Sequence, residues 1–222
     1  MKQGHFLFIK DEFFLKHDLD GLLMKNKEDG INRPCFYTLQ DRKEPCVFWC
    51  VPISSKVEKY EKIVQHKISV QKEKGIKNPK CNTIRFGEVL GRKRAFLIQN
   101  MFPVTAKYVS SIYLHENSHI PVAVYWQTEK DIIVNATNIL RLVFRGHQNL
   151  VFSDIQKTYA NLIAELHPDQ QRDDKSPPAS TLSPTTQSQS IKDRLTTAQE
   201  EANRRNEARQ DTSHNPRQDH EL

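Results

Sequence analysis

Three adjacent residues, Ser54-Ser55-Lys56, have the types and spacing for phosphate chemistry. Hydroxyls donate hydrogen bonds to a phosphate, and an ammonium group supplies the opposing charge. The trio follows an apolar run, Cys46–Ile53, and precedes a lysine-rich stretch. The end of a strand holds side chains rigidly while leaving them exposed, as a site requires. A structural reading competes with this one. Ser54-Ser55 also suits the N-cap of a helix over Val57–Gly75, with Lys56 in its first turn. The two roles are compatible, because a helix N-terminus attracts phosphate too.

A site of this kind either binds a phosphate or also moves one. RNA asks least of the protein for the second task, because it carries its own nucleophile. The 2′-hydroxyl attacks the adjacent phosphorus in line. The protein has to align it, accept its proton, stabilise the added negative charge and protonate the leaving 5′-oxygen. A lysine and two hydroxyls suit charge stabilisation, and a partly desolvated lysine can also transfer a proton.

The positive charge extends well beyond the trio. From Lys56 to Lys80, eight lysines stand against three acids, Glu58, Glu61 and Glu73. Lys59, Lys62 and His66 are spaced to share one helical face. Lys67, Lys77 and Lys80 continue the run, Arg85 follows, and Arg92, Lys93 and Arg94 form a second cluster at a hairpin turn. A solvated helix face is the plain explanation. Like charges on one face repel without a counter-anion, which favours a polyanion. Arg33, Lys59, Lys62, His66, Lys67, Lys77, Lys80 and Arg85 are therefore read as candidate RNA contacts. Lysine contacts to phosphate give salt-sensitive binding without sequence information.

Other chemistries find less support. The seven glycines are scattered and form no phosphate loop, no GxSxG elbow appears, and no metalloprotease helix is read. The carboxylates are not clustered as a divalent-metal nuclease needs. The four cysteines, Cys35, Cys46, Cys50 and Cys81, show no CxxC pair and are read as free thiols, with Cys46 and Cys50 on one strand face. No metal and no cofactor is expected. Met1–Ile9 has a single early lysine and no apolar h-region or small-residue cleavage site, so no signal peptide is expected. No apolar run approaches the roughly 18–20 residues of a membrane span. A cytoplasmic protein is the resulting expectation.

The elements that must position the trio are legible from patterning. The composition breaks near residue 167: Pro168–Leu222 has no Phe, Trp, Tyr, Val, Met or Cys. Such a tail cannot bury enough apolar surface to order itself, although Ile191–Gln210 has some helical character. The tail takes 8 of the chain's 33 basic and 10 of its 27 acidic residues, which leaves residues 1–167 at net +8. The excess positive charge thus sits in the part expected to fold. There, strands are expected at His5–Ile9, Cys35–Leu39, Cys46–Ile53, Thr83–Leu90 and Lys93–Asn100. Helices are expected at Asp11–Leu19, Val57–Gly75, Trp126–Arg145 and Ser153–Leu166, the last with a Ser153/Gln156 capping box. Gly21–Pro34 reads as a polar loop. Short turns between the strands predict an α+β fold, a mainly antiparallel curved sheet with helices against it.

Three stretches in this order carry a resemblance. Asn32-Arg33-Pro34-Cys35-Phe36, Val51-Pro52-Ile53-Ser54-Ser55-Lys56 and Leu97-Ile98-Gln99-Asn100-Met101-Phe102-Pro103-Val104 resemble successive landmarks of the type III toxin–antitoxin toxins. These are the endoribonucleases typified by ToxN and AbiQ, and the Ser-Ser-Lys form is closer to the CptN/TenpN branch. The resemblance covers residues 5–166 and not the tail. It implies a twisted antiparallel sheet flanked by helices, related to the Kid/MazF group. It implies metal-independent RNA cleavage leaving a 2′,3′-cyclic phosphate and a 5′-hydroxyl. It implies an antitoxin RNA, encoded as tandem repeats, that the toxin cuts into units and joins in a closed protein–RNA assembly. The role implied is phage abortive infection or plasmid maintenance, with cellular or phage mRNA as substrate and no membrane partner.

Carried over by position, Ser54 and Ser55 match the family's hydroxyl pair. Lys56 matches the catalytic lysine if one spacer residue is missing, and Lys59 is the next candidate. Arg33 occupies the basic position before Pro34. The family's upstream tyrosine has no counterpart in Gly21–Asn32. Met101–Val104 reads as a buried structural segment. Two alternatives stay open: a non-catalytic RNA-binding regulator using the same basic face, and a MazF-like toxin with a protein antitoxin.

Overall fold

The computed structural model describes residues 1–18, 21–23 and 32–168. Most of the expected polar loop, the polar tail and the helix expected at 191–210 lie outside the described residues. Among these residues the fold is α+β, with seven strands and four helices. In chain order they are β1 (Phe6–Ile9), α1 (Asp11–His17), β2 (Pro34–Gln40), β3 (Val47–Ser54), α2 (Val57–Glu73), β4 (Ile84–Val89), β5 (Arg92–Leu97), β6 (Phe102–Thr105), β7 (Val109–Ile112), α3 (Trp126–Val143) and α4 (Ile155–Leu166). No helix there is long and apolar enough to cross a membrane.

Every strand pairing is antiparallel. The order is β4-β5-β3-β2-β1-β7, with β6 beside β3. β3 is the hub. One edge pairs with β2, and the other is divided between β6 at Val47–Cys50 and β5 at Ile53–Ser54. The β2–β3 turn is organised by Asp41, whose Oδ1 accepts the backbone N–H groups of Lys43 and Glu44 at 2.9 and 3.1 Å. Burial opposes ionisation of Asp41. Hydrogen bonds from the Trp49 indole, those two amides and the Tyr159 hydroxyl outweigh it and hold the carboxyl below its usual range.

Side-chain alternation divides the sheet residues between two cores. Phe6, Phe36, Trp49, Val51, Ile53 and Phe96 pack with Ile132, Ala136, Ile139, Leu140 and Val143 of α3. Leu7, Ile9, Cys35, Tyr37, Cys50, Phe102 and Val104 pack with Phe13 and Phe14 of α1 and Leu162 of α4. A third, smaller cluster lies under α2, where Cys81, Ile84, Ala95 and Leu97 meet half-buried Tyr60, Ile63 and Val64.

Several expectations are corrected. α4 is capped by Asp154, whose Oδ1 accepts the Lys157 N–H at 3.0 Å, and not by a Ser153/Gln156 box. Ser153 Oγ is buried without a partner, while Gln156 donates to the Val143 carbonyl at 3.0 Å. Cys46 is exposed in the turn before β3 and does not share a face with buried Cys50. Ile98–Asn100 is a 3-10 turn and not the end of β5. β6 and β7 are further strands, concealed in the sequence because each is only four residues long and Pro103 interrupts β6.

Candidate functional site

The register of β3 sets the site. Ile53 lies opposite Phe96 of β5 and Ser54 opposite Ala95, so the strand is pinned to its last residue. The chain then turns within two residues into α2. The Lys56 N–H donates to Ser54 Oγ at 3.2 Å, and the Val57 N–H donates to the Ser55 carbonyl at 2.9 Å. Lys56 is itself the boundary residue of α2, with φ −78° and ψ 58°, and not a first-turn residue. No side chain caps this helix end, so its positive dipole end stays open to an anion. Ser54 is 9% exposed. Ser55 and Lys56 are exposed.

These residues line a cavity of about 960 Å³. Arg33, immediately before β2, joins the wall, as do Lys59 and Tyr60 from the first turn of α2. Arg92 and Arg94 enter from β5. Tyr113 to Ser118, the segment after β7, completes the lining, with Tyr113 held edge-on against Phe8 at 5.2 Å. Five cations, Arg33, Lys56, Lys59, Arg92 and Arg94, thus face one carboxylate, Glu116. Such a surface attracts anions and repels basic partners.

Alternation explains why two arginines of the hairpin cluster reach the cavity and the lysine between them does not. The turn at Leu90-Gly91 has φ values of 51° and 70°, the left-handed pair that a two-residue hairpin needs. Arg92 and Arg94 then share the Phe96 face of β5. Lys93 points to the α2 side, where it pairs with Glu61 at 2.6 Å and sits over the Phe86 ring.

The other sequence candidates divide into two groups. Lys62 and His66 are exposed on α2, and Lys77 and Lys80 are exposed beyond its C-terminus; none of the four lines the cavity. Lys67 and Arg85 turn their donors inward. Lys67 Nζ donates to Thr83 Oγ1 at 2.9 Å and Gln99 Oε1 at 2.8 Å. Arg85 donates to the Cys81 carbonyl, and to the side-chain oxygens of Asn82 and Asn135 at 3.3 and 3.2 Å. Both act as braces for α2, β4 and α3.

Sequence reasoning missed Tyr113 and His115 and left Arg92 and Arg94 out of the site. It also passed over a string at His115-Glu116-Asn117-Ser118-His119, which has the His-Glu-x-x-His order of zinc peptidases. That motif works when a helix brings both imidazoles to one face. Here Glu116–Ser118 is a turn and His119 has φ 54°. Among the described residues no three His, Cys, Asp or Glu side chains are grouped to hold a metal ion.

A scan against protein-family models found no match, and a search of curated proteins found none either.

Proposed function

We propose that this chain is a metal-independent endoribonuclease of the type III toxin–antitoxin group, acting in the cytoplasm on mRNA. On this reading it is held inactive by a repeat-derived antitoxin RNA that it also cuts and assembles with, in phage abortive infection or plasmid maintenance. One observation carries the reading: Ser54, Ser55 and Lys56 share a single cavity with four further cations and one carboxylate.

The chemistry follows from that lining. Arg33, Arg92 and Arg94 hold phosphates of the strand, because guanidinium forks match phosphate oxygens. The 2′-oxygen bonds to phosphorus and the bond to the 5′-oxygen breaks, giving the cyclic phosphate. Lys56 and the Ser55 hydroxyl neutralise charge on the equatorial oxygens, and the Lys56 ammonium gives a proton to the departing 5′-oxygen. His115 lines the same cavity, and an imidazole there can act as the general base that accepts the 2′-proton. The exposure of Lys56 favours a second reading, a non-catalytic RNA binder, because bound RNA itself has to supply the desolvation.

The test is RNA cleavage in EDTA by wild type and Lys56→Ala. The expected result is fragments ending in 2′,3′-cyclic phosphate, with a rate about 10²–10³-fold lower in the variant. Wild-type protein that binds RNA tightly and leaves it intact selects the non-catalytic reading. Cleavage that a repeat-derived RNA does not inhibit, and a small acidic protein does, selects a protein antitoxin.

A further inference from the structure

An aromatic pair stands exposed at the start of α3. Tyr125 is 66% exposed and Trp126 61%, and their ring centroids lie 5.7 Å apart. Neither ring packs into a core cluster. Exposing two large aromatics together forgoes the burial that usually stabilises them, so their position matters.

Both flanks of the pair are tied to cavity walls. Three residues before Tyr125, the Val122 N–H donates to the carbonyl of Tyr113, a lining residue, at 2.9 Å. Two residues after Trp126, Thr128 packs on Gly87, where a Cβ would come within 2.5 Å of the Thr128 methyl carbon. Gly87 is the register partner of Arg94, another lining residue. Glycine at that strand position permits the start of α3 to approach the hairpin closely. Along the chain, the pair is therefore flanked by one segment bonded to a lining residue and another packed against the register partner of a second lining residue. The cavity lining also carries the exposed apolar residues Leu90 and Leu114.

Phosphate-binding cations next to exposed rings match a single-stranded nucleic acid, which offers a phosphate and a π-face at every step. A protein partner suited to the apolar rim would also have to satisfy five cations. We propose that Tyr125 and Trp126 form a stacking subsite for an unpaired base of the RNA strand whose phosphates occupy the cavity. This rests on the RNA reading given above and adds to it a requirement for unpaired bases near the cut.

The chain has two tryptophans, and the other, Trp49, is 0% exposed, so emission quenched by a bound base reports Trp126. The full-length chain is titrated with a mixed-sequence 2′-O-methyl oligoribonucleotide, which lacks the nucleophile, and with inorganic polyphosphate, which has charge and no bases. The oligonucleotide is expected to quench and polyphosphate to leave emission unchanged. Trp126→Ala is expected to weaken the oligonucleotide by about fivefold to a hundredfold with polyphosphate binding unchanged, and Trp126→Phe to retain most of the affinity. Oligonucleotide binding, followed by anisotropy, with unchanged emission and a wild-type affinity in Trp126→Ala overturns the subsite and leaves the RNA reading intact. Self-association that Trp126→Ala abolishes while RNA affinity stays unchanged overturns it in favour of a protein contact. Failure of both polyanions to bind overturns the cationic reading of the cavity and the subsite with it.

Discussion

α2 and α3 are nearly equal in length, 17 and 18 residues, yet they meet the sheet in opposite ways. α3 buries Ile132, Ala136, Ile139, Leu140 and Val143 in the larger core. α2 buries no residue fully. It rests on half-buried Tyr60, Ile63 and Val64, and polar braces do the rest: the two Lys67 hydrogen bonds and the Glu61–Lys93 pair. The difference separates labour. α3 contributes stability through apolar burial. α2 gives up burial so that Lys59, Lys62 and Lys72 stay in solvent and its first turn borders the cavity.

Substitutions can break this contrast, beginning with the strongest. Ile132→Ala should cost about 2–5 kcal/mol in chemical denaturation, because it opens a cavity in a packed core. RNA binding per folded molecule should stay unchanged. Lys67→Met should cost about 1–3 kcal/mol, since it leaves the buried Gln99 oxygen without its donor. Hydrogen exchange should then accelerate in α2 and not in α3; equal acceleration in both would mean that the two helices open as one unit.

A pH test sharpens the sheet side of the comparison. The folded state holds Asp41 below its usual carboxylate range, so its contribution is present above the unfolded-state value. It fades as pH falls through the usual range toward the lowered one. Asp41→Asn should therefore be about 1–2 kcal/mol less stable than wild type at neutral pH, with the gap closing in acid. A gap that is constant with pH would assign the loss to geometry alone. The smallest effect is expected at the exposed Lys62. Lys62→Ala should change stability by less than about 0.5 kcal/mol. If RNA reaches the outer face of α2, the slope of log affinity against log salt should fall by about one in this variant. An unchanged slope confines the RNA to the cavity.

Much of the scaffold was legible because its signals are local. The β2–β3 pair followed from two apolar runs around a charged turn, and α3 from apolar residues at helical spacing. The Ser54-Ser55-Lys56 turn was legible for the same reason, as a strand end meeting a helix start. What remained hidden depends on partners far along the chain. Lys67 looks like its neighbours until Gln99, 32 residues on, takes its proton donor. Arg85 looks like a surface cation until Asn135, 50 residues on, binds it. Ser153 looks like a cap until the helix proves to start one residue later, with Asp154 accepting the Lys157 amide.

By itself, then, the sequence determined the α+β class, the concentration of positive charge in residues 1–167 and the presence of two hydroxyls and a lysine at one turn. Those are properties of composition and short-range periodicity, which the chain carries in any conformation. Tertiary structure alone decided which cations gather. β5 sits beside β3, so Arg92 and Arg94 face Lys56 while Lys93 faces α2. The return of the chain after β7 brings Tyr113 and His115 to the same cavity. The physical reason is that alternation gives each strand residue a face, but only strand order and register determine what that face meets.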